Sequence, residues 1–290
     1  MSRADRRVLS EPCLAILAWI AMAILLAGCA TVPAAAPQAL KVMAFNVRLP
    51  VETDGANRWQ ARRELAAKTI RDAAPDLVGT QELFKLQGDY LVSQLPDYAW
   101  FGEGRRGGDG DEHMGVFYRK DRLRVLESGD FWLSDTPTVP GSISWGHPFP
   151  RMVTWAQFER IADGRRFYFF NTHLPYRAED DDARLRGARL LLQRIAALPP
   201  DAAVIVTGDF NTGPESAVHA ELATRLGDAW VQASRRSGPQ ATFHNFTGQA
   251  DRRIDWILMR GFEVERVSTI DAHDAGRYPS DHFPIMAELR

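Results

Sequence analysis

From Leu40 onward, apolar and polar positions alternate between two periods. Leu40–Val47 (LKVMAFNV) is a short apolar run that predicts a strand. Residues 57–74 carry an apolar stripe at Leu65, Ala66, Ile70 and Ala73, the spacing of one helix face. A short buried strand follows within PDLVGTQEL (75–83), then a helix over 86–96 stopped by Pro96. Residues 114–134 are strand-rich, and 151–174 read as two strands around an Asp163-Gly164 turn. Leu185, Ala188, Leu192 and Ile195 give the next helix one apolar face, and Asp180 to Asp182 suit its positive N-terminal end. AAVIVTGDFN (202–211) is apolar enough to predict a central strand covered on both faces. Residues 252–270 and 283–290 read as closing strands. Mixed strands with helices between them predict an α/β fold of four layers: two mixed β-sheets face to face, with helices outside. No linker interrupts residues 41–290, which are read as one domain.

The first forty residues follow another pattern. Arg3, Arg6 and Arg7 precede an uncharged run from Cys13 to Ala27, the layout of a secretory signal. The rival reading is a membrane anchor, because 18 residues from Cys13 to Ala30 reach the lower edge of a bilayer span. Leu26-Ala27-Gly28-Cys29 resembles the lipobox of bacterial lipoproteins. The resemblance implies a signal peptide over 1–28, a lipid on Cys29 and attachment to the cell envelope. Ala30 in the second mature position implies sorting to the outer membrane, facing the periplasm, in a Gram-negative host. Residues 30–40 (ATVPAAAPQAL) read as a tether.

Composition changes the picture little. The 290 residues are 45% hydrophobic and 25% charged, ordinary for a globular chain. The formal charge of -2 becomes -3 without residues 1–28, so charge gives no indication of nucleic-acid binding, although a local basic patch is compatible with it. The only cysteines are Cys13 and Cys29, so the mature domain has no disulfide. A monomer is expected.

Chemistry gathers at the predicted strand ends. Asn46, Gln81-Glu82, Asn171, His173, Asp209 and Asn211 each close a strand. Asp255 sits among apolar neighbours, where an acid must be paired to offset its desolvation. Asp281 and His282 stand side by side between Pro279 and Pro284, a segment those prolines stiffen. Each polar residue alone fits a turn or a satisfied loop. Gathered in one cleft, that many acids would repel unless a divalent cation neutralised them, and hard oxygen donors suit Mg²⁺, with Mn²⁺ or Ca²⁺ as alternatives.

In this order, MAFNVR, GTQEL, NTHL, GDFN, RIDWIL and SDHFP resemble the motifs of the endonuclease/exonuclease/phosphatase superfamily, the DNase I-like fold, over about Val42 to Leu289. The intervening text is most similar to a bacterial branch of metal-dependent hydrolases. The resemblance implies hydrolysis of a phosphodiester or phosphomonoester, with Glu82, Asn46 and Asp281 at a metal. Asp209 would orient or deprotonate water, with His282 as the other candidate base, and Asn211 would position the water or the phosphate. His173 and His282 would donate to phosphoryl oxygens, and Asp255 would pair with His282. The DNase I branch supports its first histidine with a Glu from the strand resembling FPRMVTW; here that stretch holds Arg151, read as a substrate contact or a shield of the acidic cleft. The glycine-rich GEGRRGGDGDEH reads as a solvated surface loop or a substrate loop, the former favoured, and Phe243, His244 and Phe246 as core packing or a cleft wall, the former favoured. A second class remains open: a binding protein that keeps the fold without activity. Within the enzyme class, a nuclease and a phospholipid phosphodiesterase both remain open.

Overall fold

The structure, a computed structural model, describes residues 38–290. The signal peptide, Cys29 and all but the last residues of the tether lie outside the described residues. Two sheets pack face to face. The first contains seven strands in the order β10-β12-β13-β1-β2-β4-β3: β1 Leu40–Asn46, β2 Leu77–Gln81, β3 Tyr98–Phe101, β4 Val116–Arg119, β10 Arg235–Ser237, β12 Val264–Thr269 and β13 Ile285–Leu289. The second contains six in the order β5-β6-β7-β8-β11-β9: β5 Leu123–Trp132, β6 Met152–Arg160, β7 Arg166–His173, β8 Val204–Asp209, β9 Gly227–Asp228 and β11 Asp255–Arg260. Among the described residues, five α-helices form: α1 Trp59–Ala73, α2 Lys85–Gln94, α3 Asp181–Ala196, α4 Ala217–Ala223 and α5 Ala229–Gln232.

Strand alternation sorts the side chains into layers. On β1, Val42 and Ala44 face the second sheet, joining Phe167, Phe169, Ile205 and Ile257 in the central core. Met43 and Phe45 point the other way, against Ile70 of α1 and Leu91 of α2. On β8, Val204 and Val206 meet Leu191 and Ile195 of α3. The continuous apolar run of 202–211 thus reflects burial on two faces, as the pattern predicted.

The helix stripes are partly corrected. Leu65 and Leu185 are only half-buried, whereas Arg62 and Leu191 are buried. Arg62 lies under the loops that follow β1 and precede β13. It donates to Val47 O at 2.6 Å and to Pro279 O at 2.9 Å, tying those two segments together. One close approach brings the sheets together near their shared edge. Asn171 of β7 donates to Thr80 O at 2.7 Å and accepts from Gln81 Nε2 at 2.7 Å. Gly79 leaves room for this contact, because a Cβ there would run into Thr207 Oγ1 and Asn171.

Candidate functional site

Strand direction brings the predicted residues to one edge. β1 and β2 run parallel with Asn46 opposite Gln81, and β7 and β8 run parallel with His173 opposite Asp209. β11 runs antiparallel to β8 and begins with Asp255 opposite Asp209. Asn46 joins the sheets. Its amide donates to Glu82 Oε1 and to Asp209 Oδ2, both at 3.0 Å, while its oxygen accepts the Arg48 N–H at 3.0 Å.

Glu82 leaves its strand with φ +58°, a left-handed conformation that costs a non-glycine residue about 1 kcal/mol or more. The turn carries its carboxylate back over β1, where Oε2 accepts from Leu49 N at 3.0 Å. Asn211, at φ +52°, adopts the conformation its residue type tolerates best. It gives its backbone N–H to Asp209 Oδ1 at 2.9 Å and its side-chain amide to Leu174 O at 3.0 Å.

His282 Nδ1 lies 2.8 Å from Asp255 Oδ2, and its Nε2 lies 3.8 Å from Asp209 Oδ2. Burial opposes charge on this ring, yet Asp255, Asp209 and Asp281 outweigh it and push its pKa up to about 10. Asp281 is not its partner. It accepts from Ser280 Oγ at 3.2 Å and faces the Arg48 guanidinium at 3.8 Å. His173 Nε2 lies 3.5 Å from Asp209 Oδ2. Burial and the nearby Arg151 and Arg105 hold its pKa well below the usual histidine value. Its Nδ1 has no partner among the described residues, so no carboxylate holds that nitrogen.

Burial, reinforced by Asp255, raises Asp209 to about 7, and burial raises Asp281 as well. Glu82, Asp209 and Asp281 bring three carboxylates into one cleft, oxygen donors that fit a cation. Ligand atoms of Glu82, His173 and Asp209 all lie within 4.8 Å of one another, as do those of Asp209, Asp255 and His282. Carboxylate oxygens dominate both groups, so the donor set suits a hard divalent ion.

Glu82, His173, Asp209, Asn211, Asp281 and His282 line a cleft of about 580 Å³; Asn46 and Asp255 are not in its lining. Arg151 lines it too, 4% exposed and with Nη1 unpartnered among the described residues. Phe243 forms part of the wall rather than the core, its ring 5.0 Å from that of His282. The glycine-rich loop also departs from expectation. Arg105, Glu112 and His113 are buried, and the first two line the cleft. A loop dense in glycine and charge reads as solvated, but Leu83 O accepts the His113 N–H at 2.6 Å and Arg105 O accepts the Trp132 indole N–H at 2.6 Å, drawing the loop inward. Arg48 was legible only as a neighbour of Asn46; nothing in the pattern marked it as the cation facing Glu82 and Asp281.

Residues 43–282 match the Endonuclease/Exonuclease/phosphatase family. The chain belongs to this family. Its members are hydrolases of phosphate esters, and the two face-to-face sheets are the family's DNase I-like fold. A family structure from Bacteroides thetaiotaomicron is 33% identical, covers 88% of this chain and 98% of its own, and superposes with a TM-score of 0.82. A mannosyl-6-phosphatase from the same organism is 32% identical, with 87% and 99% covered and a TM-score of 0.81. Zebrafish (Danio rerio) tyrosyl-DNA phosphodiesterase 2 is 26% identical over 227 residues, 73% of this chain and 57% of that protein's length.

Proposed function

We propose that the chain is a divalent-metal-dependent phosphoesterase acting on a phosphomonoester of a small polar molecule, tethered to a bacterial envelope. The observation that carries the reaction is the junction of Glu82, Asn46, Asp209, His282 and Asp255, in which side chains from both sheets converge at hydrogen-bond distance. Glu82 and Asp281, steadied by Asn46, would hold the metal. A bound cation such as Mg²⁺ would supply charge neutralisation at the phosphoryl and leaving oxygens.

The chain's own groups do the rest. Asp209 is fixed by donors from Asn46 and Asn211, so one carboxylate oxygen is aimed to orient water and accept its proton as the water oxygen attacks phosphorus. The ester P–O bond breaks, and the leaving oxygen takes a proton from solvent while Asp209 releases to solvent the one it accepted. His282, held by Asp255 with Nε2 directed inward, donates to a non-bridging oxygen as charge builds there. His173 and Arg151 line the same cleft and add donors.

Similarity to the mannosyl-6-phosphatase supports a monoester on a compact polar group. The net negative charge weighs against a polyanionic substrate. The test is turnover of p-nitrophenyl phosphate and bis-p-nitrophenyl phosphate by the purified protein. Metal-dependent release that disappears in Asp209→Ala and His282→Ala is expected, with the monoester preferred. Inactivity across Mg²⁺, Mn²⁺, Ca²⁺ and a broad ester panel would instead establish a binding protein on this fold. Envelope attachment rests on the lipobox-like Leu26–Cys29 and predicts that a palmitate analogue labels Cys29; a Cys29→Ser chain that still incorporates it would refute the anchor.

A further inference from the structure

One wall of the cleft has no part in this chemistry. Arg105 and Glu112 are both buried and pair through Nη2 and Oε1 at 2.9 Å. Arg105 Nε also meets Asp111 Oδ1 at 3.1 Å. The guanidinium lies 4.8 Å above the centre of the Phe149 ring, and Phe149 in turn stacks with Tyr176 at 6.4 Å and 27°. Tyr176 is 55% exposed, yet it also lines the cleft. The wall therefore presents a rigid donor–acceptor pair beside an open aromatic face.

This composition discriminates among ligands. A guanidinium and a carboxylate at fixed separation suit hydroxyl groups, which accept from the one and donate to the other. An aromatic face suits the C–H face of a saturated ring. Arg105 free of partners would attract a second phosphate; its ion pairs with Glu112 and Asp111 occupy that charge.

We infer that Arg105, Glu112, Phe149 and Tyr176 form a subsite for the hydroxyl-bearing ring of the substrate, a hexose carrying a single phosphate, and that Glu112 rejects substrates with a second phosphate. The inference rests on the phosphomonoesterase reading and names the group that the phosphate is attached to.

The experiment compares kcat/KM for hexose 6-phosphates, a hexose 1,6-bisphosphate and p-nitrophenyl phosphate in wild type, Glu112→Gln and Tyr176→Ala. Normalising to p-nitrophenyl phosphate removes general damage to the fold. The hexose 6-phosphate ratio is expected to fall at least about tenfold in both variants. The bisphosphate ratio is expected to rise several-fold, in Glu112→Gln alone. Parallel changes in all three esters, or a wild type that prefers the bisphosphate, overturn the subsite. Calorimetric titration with the free hexose separates this inference from the reaction beneath it. A wild type that hydrolyses none of the esters but binds hexose, with binding lost in Glu112→Gln and Tyr176→Ala, overturns the reaction and leaves the subsite standing. One that hydrolyses p-nitrophenyl phosphate but neither prefers nor binds a hexose overturns the subsite alone.

Discussion

At the scale of single residues, the site depends on side chains whose partners come from distant parts of the chain. Asp255 Oδ2 fixes which His282 nitrogen is turned inward, although 27 positions separate the two residues. Asp255→Asn keeps the shape but removes the charge that favours the imidazolium. It should lower kcat by about 10²–10⁴-fold with little change in fold, checked by steady-state kinetics beside circular dichroism. His244 supplies a pH-dependent case. It stacks on Phe283 at 4.0 Å, accepts the Gly248 N–H on Nδ1 at 3.2 Å, and has no partner for Nε2 among the described residues. Burial, with help from His282, lowers its pKa to about 4. The unfolded chain therefore binds this proton first as pH falls. The stabilising contribution is complete above about 6.5 and is lost on the way down to about 4. His244→Asn retains an acceptor without a titrating ring, so its melting temperature should fall less than that of wild type between pH 6.5 and 4. Parallel melting profiles would refute the assignment.

At the scale of elements, the site is positioned by strand order and by one tight contact between the sheets. Gly79 on β2 admits the Asn171–Thr80–Gln81 hydrogen bonds two residues from the point where Glu82 leaves the strand. Gly79→Ala must push β2 away from β7 and β8. We expect a loss of about 1–3 kcal/mol in urea unfolding and, because Glu82 moves with the strand, a larger fall in kcat than any similar substitution outside the site. The loops are held as firmly as the strands. Arg62 is polar in the sequence yet buried in α1, and its bonds to Val47 O and Pro279 O tie Asn46 and Asp281 into one frame.

At the scale of the whole molecule, the proposed metal would link the cleft to the stability of the fold. A cation that binds only the folded chain stabilises it by mass action, about 2.7 kcal/mol at a hundred times its Kd. Chelation should abolish turnover and lower the melting temperature, and Mg²⁺ should restore both. Glu82→Gln should shift the Mg²⁺ titration of the melting temperature to higher concentration. A melting temperature indifferent to chelator and Mg²⁺ would remove the metal from this account.

Much of this molecule was readable from its pattern. Short apolar runs marked most strands, period-3.6 runs gave most helix faces, and polar residues at strand ends marked one edge, because these signals are local and follow from backbone geometry; β3, β9 and β10 are too short to carry such a signal. The family resemblance rested on six short motifs for the same reason: each is a strand end. What remained was non-local. β11 and β12 are consecutive, yet they lie in different sheets, and the few residues between them do not encode that choice. Arg105 and Glu112 sit in a loop whose composition reads as solvated; they line the cleft because contacts with Leu83 and Trp132 draw the loop in. Arg62 and Arg48 look like surface cations until two remote loops close around them. The sequence by itself determined most of the elements and the six motifs that mark the family. Only the tertiary structure decided which charges face one another, because burial and pairing energies depend on distances between segments that the chain brings together only by folding.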